Sequence, residues 1–254
     1  MVKVELSVNV TPGSEPTKAP RLIEGCTPEM TILTAPWYSA LLGVLKKKWN
    51  QESPIFIAIG SDSKTVGDYI ASPPDNWLID EDDVSNWDSC VQKYNLLVCK
   101  RVLRHFHAPS HVVEFFTRNF HKRGVTKSGI RYECPLRIGS GEAWTAVFNS
   151  IINAVDHIFI FCRRRHLTVA EASNQIKMVV TGDDNTLRYP SPRISWKDEM
   201  AQLGFKSTCK PVASLTSTEF CSSRVSPSGG RTRHDVQIRA HAVQRRILTN
   251  SPQH

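Results

Sequence analysis

Five apolar residues, Ala143, Val147, Ile151, Ala154 and Ile158, recur at the spacing of one helical face directly after Ser140-Gly141. A stripe that long has to be buried against something, and the residues after it say what. Thr168-x-x-Glu171 has the form of a capping box that opens a short helix. Ile176-Lys177-Met178-Val179-Val180 then turns β-prone, breaks at Gly182-Asp183-Asp184 and returns as Thr186-Leu187-Arg188-Tyr189. A long helix followed by a hairpin implies a sheet backed by helices, the α+β class. Residues 143–162 are also the most apolar long stretch of the chain. They carry Asn149, Asn153, Asp156 and His157, each costly in lipid, which argues against a membrane span.

Upstream, residues 10–20 hold three prolines and read as a turn-rich entry, with regular structure expected after it. The stretch from Pro36 has helical spacing at Trp37, Leu41, Val44 and Leu45 and ends in Lys46 to Lys48, where cations suit the helix dipole. Ile55 to Ile59 and Trp77 to Ile79 read as strands, and Ser89 to Phe106 as one helix that Pro109 terminates. A further helix is expected from Val112 to Phe120, and a short extended segment at Gly129 to Tyr132.

The chain has 254 residues, 40% hydrophobic and 22% charged, enough for one compact catalytic unit. Lys and Arg total 32 against 24 Asp and Glu, a net charge of +8 that suits a polyanionic partner without proving one. Seven cysteines without a C-x-x-C pair read as reduced thiols, and His105, His107 and His111 as surface or capping residues. The N-terminus lacks the apolar core of a signal peptide.

The chemistry is carried by acids. Asp183 and Asp184 sit in a tight turn that can present adjacent carboxylates at a sheet edge, and hard divalent ions take such oxygens. On its own a Gly-Asp-Asp turn is weak evidence, since it arises by chance in roughly one chain in twenty of this length. A second cluster, Asp80-Glu81-Asp82-Asp83 with Asp88, lies at the end of an expected strand just before a helix. Two-metal transfer needs a few acids from separate segments to hold ions about 3.5 to 4 Å apart. Asp83 and Asp183 are the natural pair.

In this order the residues resemble the motifs of viral RNA-dependent RNA polymerases, in the style of the tombus-like and noda-like positive-strand RNA viruses. Asp83-Val-Ser-Asn-Trp-Asp88 is similar to motif A, Ser140-Gly141-x3-Thr145-x3-Asn149-Ser150 to motif B, and Gly182-Asp183-Asp184-Asn185 to motif C. Leu203-Gly204-Phe205-Lys206 resembles motif D, Thr218-Glu219-Phe220-Cys221-Ser222 motif E, and Lys18 to Ile23 the end of motif F, so the likeness spans residues 18–224.

The resemblance implies a polymerase palm with part of the fingers and no complete thumb, covering residues 1–225. It implies Mg²⁺ (or Mn²⁺) held by Asp83 and Asp183, with Asp184 a weaker participant. Asp88, Ser140 and Asn149 would recognise the incoming ribose, with Gly141 beside them and Thr145 one helical turn before Asn149 sharing the task. Lys18 and Arg21 would neutralise the triphosphate, Lys206 or Lys210 would protonate pyrophosphate, and Cys221 and Ser222 would support the primer end. Implied partners are template RNA, the nascent strand, NTPs and other viral replicase segments. The implied location is the host cytoplasm, at membrane-associated replication complexes held there by other replicase segments.

Motif B departs from the usual Arg-x-Ser-Gly-Asp: Arg137-Ile138-Gly139-Ser140-Gly141-Glu142 inserts a glycine and lengthens the acid, which predicts a shifted loop. Residues 226–254 form a basic tail unlike a thumb: an RNA-binding helix, the product of a truncated reading frame, a disordered segment or a truncated thumb remnant. Two other functions stay open: a polymerase fragment that binds RNA without extending it, and a reverse transcriptase. Asp88, Asn149 and Gly182 speak against the latter.

Overall fold

A computed structural model describes residues 2–5, 21–24, 26–125, 129–227 and 236–240. Strands β1 (Val2–Glu5) and β2 (Arg21–Glu24) form an antiparallel pair, so regular structure begins before the proline-rich entry. Then come α1 (Pro28–Lys48), β3 (Ile55–Ile57), α2 (Ser63–Ala71), β4 (Leu78–Asp82), α3 (Trp87–Cys90), α4 (Lys93–His105) and α5 (Ser110–Arg118). A β5–β6 hairpin (His121–Val125, Arg131–Pro135) leads to α6 (Thr145–Arg165), α7 (Val169–Ala172) and the hairpin β7–β8 (Lys177–Thr181, Asp184–Tyr189). The described chain closes with α8 (Trp196–Gln202), β9 (Lys210–Val212), β10 (Glu219–Phe220), β11 (Ser223–Pro227) and β12 (Val236–Ala240).

The central sheet has the order β3-β7-β8-β4-β9. Its pairs are antiparallel except β3–β7, where Ile55 to Ile57 run parallel to Met178 to Val180, so the expected antiparallel sheet is mixed at that edge. The strand after α1 joins a strand more than a hundred residues later, a pairing no local pattern encodes. On one face α6 and the other large helices bury Tyr38, Phe116, Trp144, Phe148, Phe161 and Met178. On the other, α2 and the β10–β11 hairpin bury Phe56, Tyr69, Ile70, Val179, Phe220 and Val225. The fold is thus α+β, with the sheet covered on both sides.

Several boundaries differ from expectation for local reasons. Helix α1 starts eight residues before Pro36, because Thr27 caps it by accepting from the Met30 amide at 3.3 Å and Pro28 suits its first turn. Pro36 is tolerated inside because the carbonyl it leaves without a donor belongs to Ile32, which is 73% exposed and within reach of water. The single helix expected over 89–106 is two. Val91 is extended, and the Asn95 side chain accepts from the Gln92 amide at 2.8 Å to begin the second helix. The capping box at Thr168 and Glu171 is present.

Helix α6 is long and apolar enough to cross a bilayer by length and composition, yet 67% of its most apolar window is buried inside the fold, as befits a core helix. In the C-terminal segment, β12 pairs antiparallel with β11 from Ser223↔Ala240 to Pro227↔Val236. An RNA-binding helix is therefore ruled out at those positions, and a strand crosses position 225.

Candidate active site

Alternation along β4 divides the acidic cluster between the two faces of the sheet. Asp80 and Asp82 point into the helix-covered core, where Asp80 meets Arg193, Tyr189 and the Trp196 indole, and Asp82 meets His157 and Ser207. Glu81 points to the opposite face, where it accepts from the Glu219 amide, and the exposed Asp83 follows at the strand end. Asp83 is fixed through its carbonyl, which accepts from the Thr208 amide at 2.7 Å and the Thr208 hydroxyl at 2.9 Å.

The register Asp82↔Asn185 carries Asp83 to the level of Asp184 on the neighbouring strand. Gly182 and Asp183 are the two central residues of the β7–β8 turn closed by Thr181↔Asp184. Gly182 has φ +63°, the left-handed value that a two-residue hairpin of the II′ kind requires and that glycine adopts without strain. Asp183 and Asp184 are both exposed there.

Three carboxylates therefore share one end of the sheet. Partial desolvation by the surrounding protein raises the Asp184 carboxyl above the usual range, and the charges of Asp183 and Asp83 raise it further, while the Cys221 thiol bonds to it and opposes the shift. A cation would relieve that repulsion, and the donors are hard oxygens, so the site fits a divalent ion. Among the described residues no three of His, Cys, Asp or Glu already converge as a ligand set.

Asp83, Asp184 and Asn185 line a cleft of about 160 Å³ together with Lys210, Cys221 and Ser222. Cys221 and Ser222 form the β10–β11 turn with φ +50° and +59°, and burial followed by the Asp184 charge pushes the Cys221 thiol up to about 12. The expected primer-support residues thus lie against the carboxylates. Of the two lysines left open, Lys210 forms part of the cleft wall. Lys206 lies outside it, exposed, and contributes its carbonyl to the Ser85 amide at 3.0 Å.

Asn149, on the first turns of α6, donates to Asp88 Oδ1 at 3.1 Å, so the two expected ribose readers are in contact. Asn149 Oδ1 is buried without a partner. Thr145 does something else: its hydroxyl donates to the Gly139 carbonyl and accepts from the Glu142 amide at 3.3 Å, holding the loop that carries Ser140 and Gly141. Lys18 lies outside the described residues. For Arg21 only the backbone is described, at the start of β2 opposite Glu5.

The two departures in motif B explain each other. Glu142 is long enough to reach a buried ion pair with Lys122 of β5 while accepting from the Gly139 amide at 3.1 Å. A Cβ at position 139 would come within 3.0 Å of the Glu142 carboxyl carbon, so the extra residue is a glycine that lets the acid pass. Glu142→Asp, which restores the commoner acid, is expected to lose both contacts. The cost of about 1–3 kcal/mol should appear in thermal melts as a Tm lower by roughly 2–10 °C.

Sequence reasoning passed over Ser150, Asn153 and His157 as site residues, although all three are fully buried polar groups on α6 that reach the acidic loops. For Asn153 and His157 the signal was visible as polar residues in the most apolar stretch of the chain, where it served only to argue against a membrane span, and Ser150 was read only as the last residue of the motif B match.

A family model described as viral RNA-dependent RNA polymerase matches residues 17–249. The RNA-directed RNA polymerase of Pariacoto virus is 27% identical over 214 residues, which is 81% of this chain and 21% of that protein, so the chain spans about a fifth of its relative's length. Among solved structures, the Sicinivirus 3Dpol RNA-dependent RNA polymerase superposes with a TM-score of 0.58 at 15% identity, over 73% of this chain and 42% of that one, a likeness of fold. With three acids from two motifs gathered at one sheet end and the family model covering nearly its whole length, the chain belongs to the viral RNA-dependent RNA polymerases.

Proposed function

We propose that this chain carries the nucleotidyl-transfer centre of a template-directed RNA polymerase, extending an RNA 3′ end with NTPs during viral genome replication. The observation that carries the proposal is the meeting of Asp83 with Asp183 and Asp184 at adjacent strand ends, beside the Asp88–Asn149 pair. Mg²⁺ or Mn²⁺ bound by Asp83 and Asp183 would activate the attacking 3′-hydroxyl and neutralise the charge that develops on the leaving pyrophosphate. Asp184 shares their field and buffers it. Asn149 presents a buried carbonyl oxygen in need of a donor, and a ribose 2′-hydroxyl, which both donates and accepts, meets that need while Asp88 orients the amide. Lys210 is the better-placed proton donor to pyrophosphate, and Cys221 with Ser222 supports the primer end. Lys18 and Arg21 complete the design as triphosphate contacts. The reaction belongs in the host cytoplasm, with other replicase segments supplying any membrane attachment.

The test is incorporation of NTPs and dNTPs on a primed RNA template. Wild-type protein is expected to make complementary RNA and to reject dNTPs. Asn149→Ala should reduce that preference by about tenfold, the equivalent of one hydrogen bond in a desolvated site. RNA binding without extension would favour the non-catalytic fragment, and a preference for dNTPs would favour a reverse transcriptase.

A further inference from the structure

Helix α6 grips both acidic loops through three side chains at i, i+3 and i+7. Ser150 Oγ accepts from the Gly182 amide at 2.7 Å and donates to the Ala146 carbonyl at 2.7 Å. Asn153 Nδ2 donates to the carbonyls of Gly182 at 3.2 Å and Asp183 at 2.9 Å, while its Oδ1 accepts from Asn185 at 2.9 Å. The two carbonyls accept only, which fixes the amide's orientation. The His157 ring meets the Asn153 carbonyl through Nδ1 at 2.8 Å and Asp82 Oδ2 through Nε2 at 3.0 Å, and stacks obliquely on Trp196 at 5.2 Å. Ser207 donates to the other Asp82 oxygen. Ser150, Asn153, His157 and Asp82 are all fully or nearly fully buried.

We propose that Asn153 and His157 are positioning residues that set the separation of Asp83 from Asp183. Asn153 holds the backbone of the turn that bears Asp183, and His157 holds the side chain next to Asp83, each from the same rigid helix. Neither touches substrate. The two loops come from strands about a hundred residues apart in sequence, and the sheet register alone fixes them only up to Asp82↔Asn185 and Thr181↔Asp184. Beyond those pairs the strand ends could splay under the mutual repulsion of three carboxylates. A helix whose hydrogen bonds reach both ends opposes that splay.

The inference rests on reading Asp83 and Asp183 as the metal-holding pair, and a metal titration separates the two. Mn²⁺ binding is followed by electron paramagnetic resonance in the wild-type chain, in Asp183→Ala, in Asn153→Ala and His157→Leu, and in Ile160→Val, an apolar core variant on the same helix. Asn153→Ser and His157→Gln serve as milder forms should the first two fail to fold. Asn153→Ala and His157→Leu are expected to weaken Mn²⁺ binding about 10- to 100-fold, as loss of groups that orient metal ligands does elsewhere. His157→Gln, which keeps a donor for Asp82, should lie nearer wild type. Ile160→Val should lower Tm and leave Mn²⁺ binding unchanged. Melting points that fall in the Asn153 and His157 variants with Mn²⁺ affinity intact would overturn the proposal. A wild-type chain with no Mn²⁺ site sensitive to Asp183→Ala would overturn both readings. Mn²⁺ binding that depends on Asn153 and His157 in a chain that fails to incorporate NTPs would support this inference and defeat the polymerase assignment alone.

Discussion

Asp183→Ala is expected to abolish template-directed NTP incorporation, by about 10³-fold or more, while leaving the melting temperature unchanged or slightly raised. Under the proposed assignment the loss follows from removing one of two anchors for ions that would carry several kcal/mol of transition-state stabilisation, at about 1.4 kcal/mol per factor of ten. The retained stability follows from the structure. Asp183 is exposed, the turn takes its shape from Gly182, and the contacts that hold the turn run through the backbone of Gly182 and Asp183 to Ser150 and Asn153. An alanine at 183 keeps all of these. It also removes one of the charges that raise Asp184, so the Asp184 carboxyl should return toward its ordinary range. Incorporation assays on primed template, with thermal melts of the same samples, check both parts. Activity within tenfold of wild type would show that Asp183 holds no essential ion.

That Asp183 could be singled out from sequence, and Asn153 could not, has a physical explanation. The hairpin, the α6 stripe and the Thr168 capping box are local patterns, and each forms where its residues place it. Motif spacing likewise singled out Asp83, Asp88, Asn149 and Asp183 as candidates, and the fold brings Asp83 level with the Asp183–Asp184 turn and Asp88 against Asn149. What holds them depends on contacts distant in sequence. Asp82 finds His157 and Ser207 across 75 and 125 residues, and the parallel β3–β7 pairing joins strands with most of the fold between them. The acids at 80–83 could not be sorted by composition either. Strand alternation sends Asp80 and Asp82 to the core and Asp83 to the site, and that assignment needs a face to be known as buried. Helix α2 was missed because its apolar residues Val66, Tyr69 and Ile70 cover a short stretch, and only the packing of the far sheet face shows what they serve. The Thr145 hydroxyl illustrates the converse case. Its position one turn before Asn149 is right for a shared task, yet its hydrogen bonds run to Gly139 and Glu142.

Asp156 carries the other large effect, and it acts on stability through pH. The side chain is buried between α4 and α6, accepting from Asn95 at 3.0 Å and from the Tyr94 hydroxyl at 3.4 Å. Burial pushes its carboxyl from 3.8 up to about 7, against the opposing pull of the His157 charge and the two hydrogen bonds. The folded chain therefore holds this proton more tightly than the unfolded chain does. Below pH 3.8 both states are protonated and Asp156 costs nothing. Between 3.8 and about 7 the unfolded state ionises first and stability is lost, and above 7 the loss is complete, at up to about 4 kcal/mol. Asp156→Asn keeps the shape and an acceptor oxygen and removes the charge, so its stability should not fall through that window. The variant is expected to melt well above wild type at pH 8, by roughly 5–10 °C for a chain of this size, with the gap closing toward pH 4. Comparing the two proteins at each pH cancels every other titrating group, so a gap that does not change between about pH 4 and 8 would refute the account. If the gap behaves as expected, the wild-type carboxylate is a stability cost that the fold carries between α4 and α6, offset in part by the hydrogen bonds from Asn95 and Tyr94.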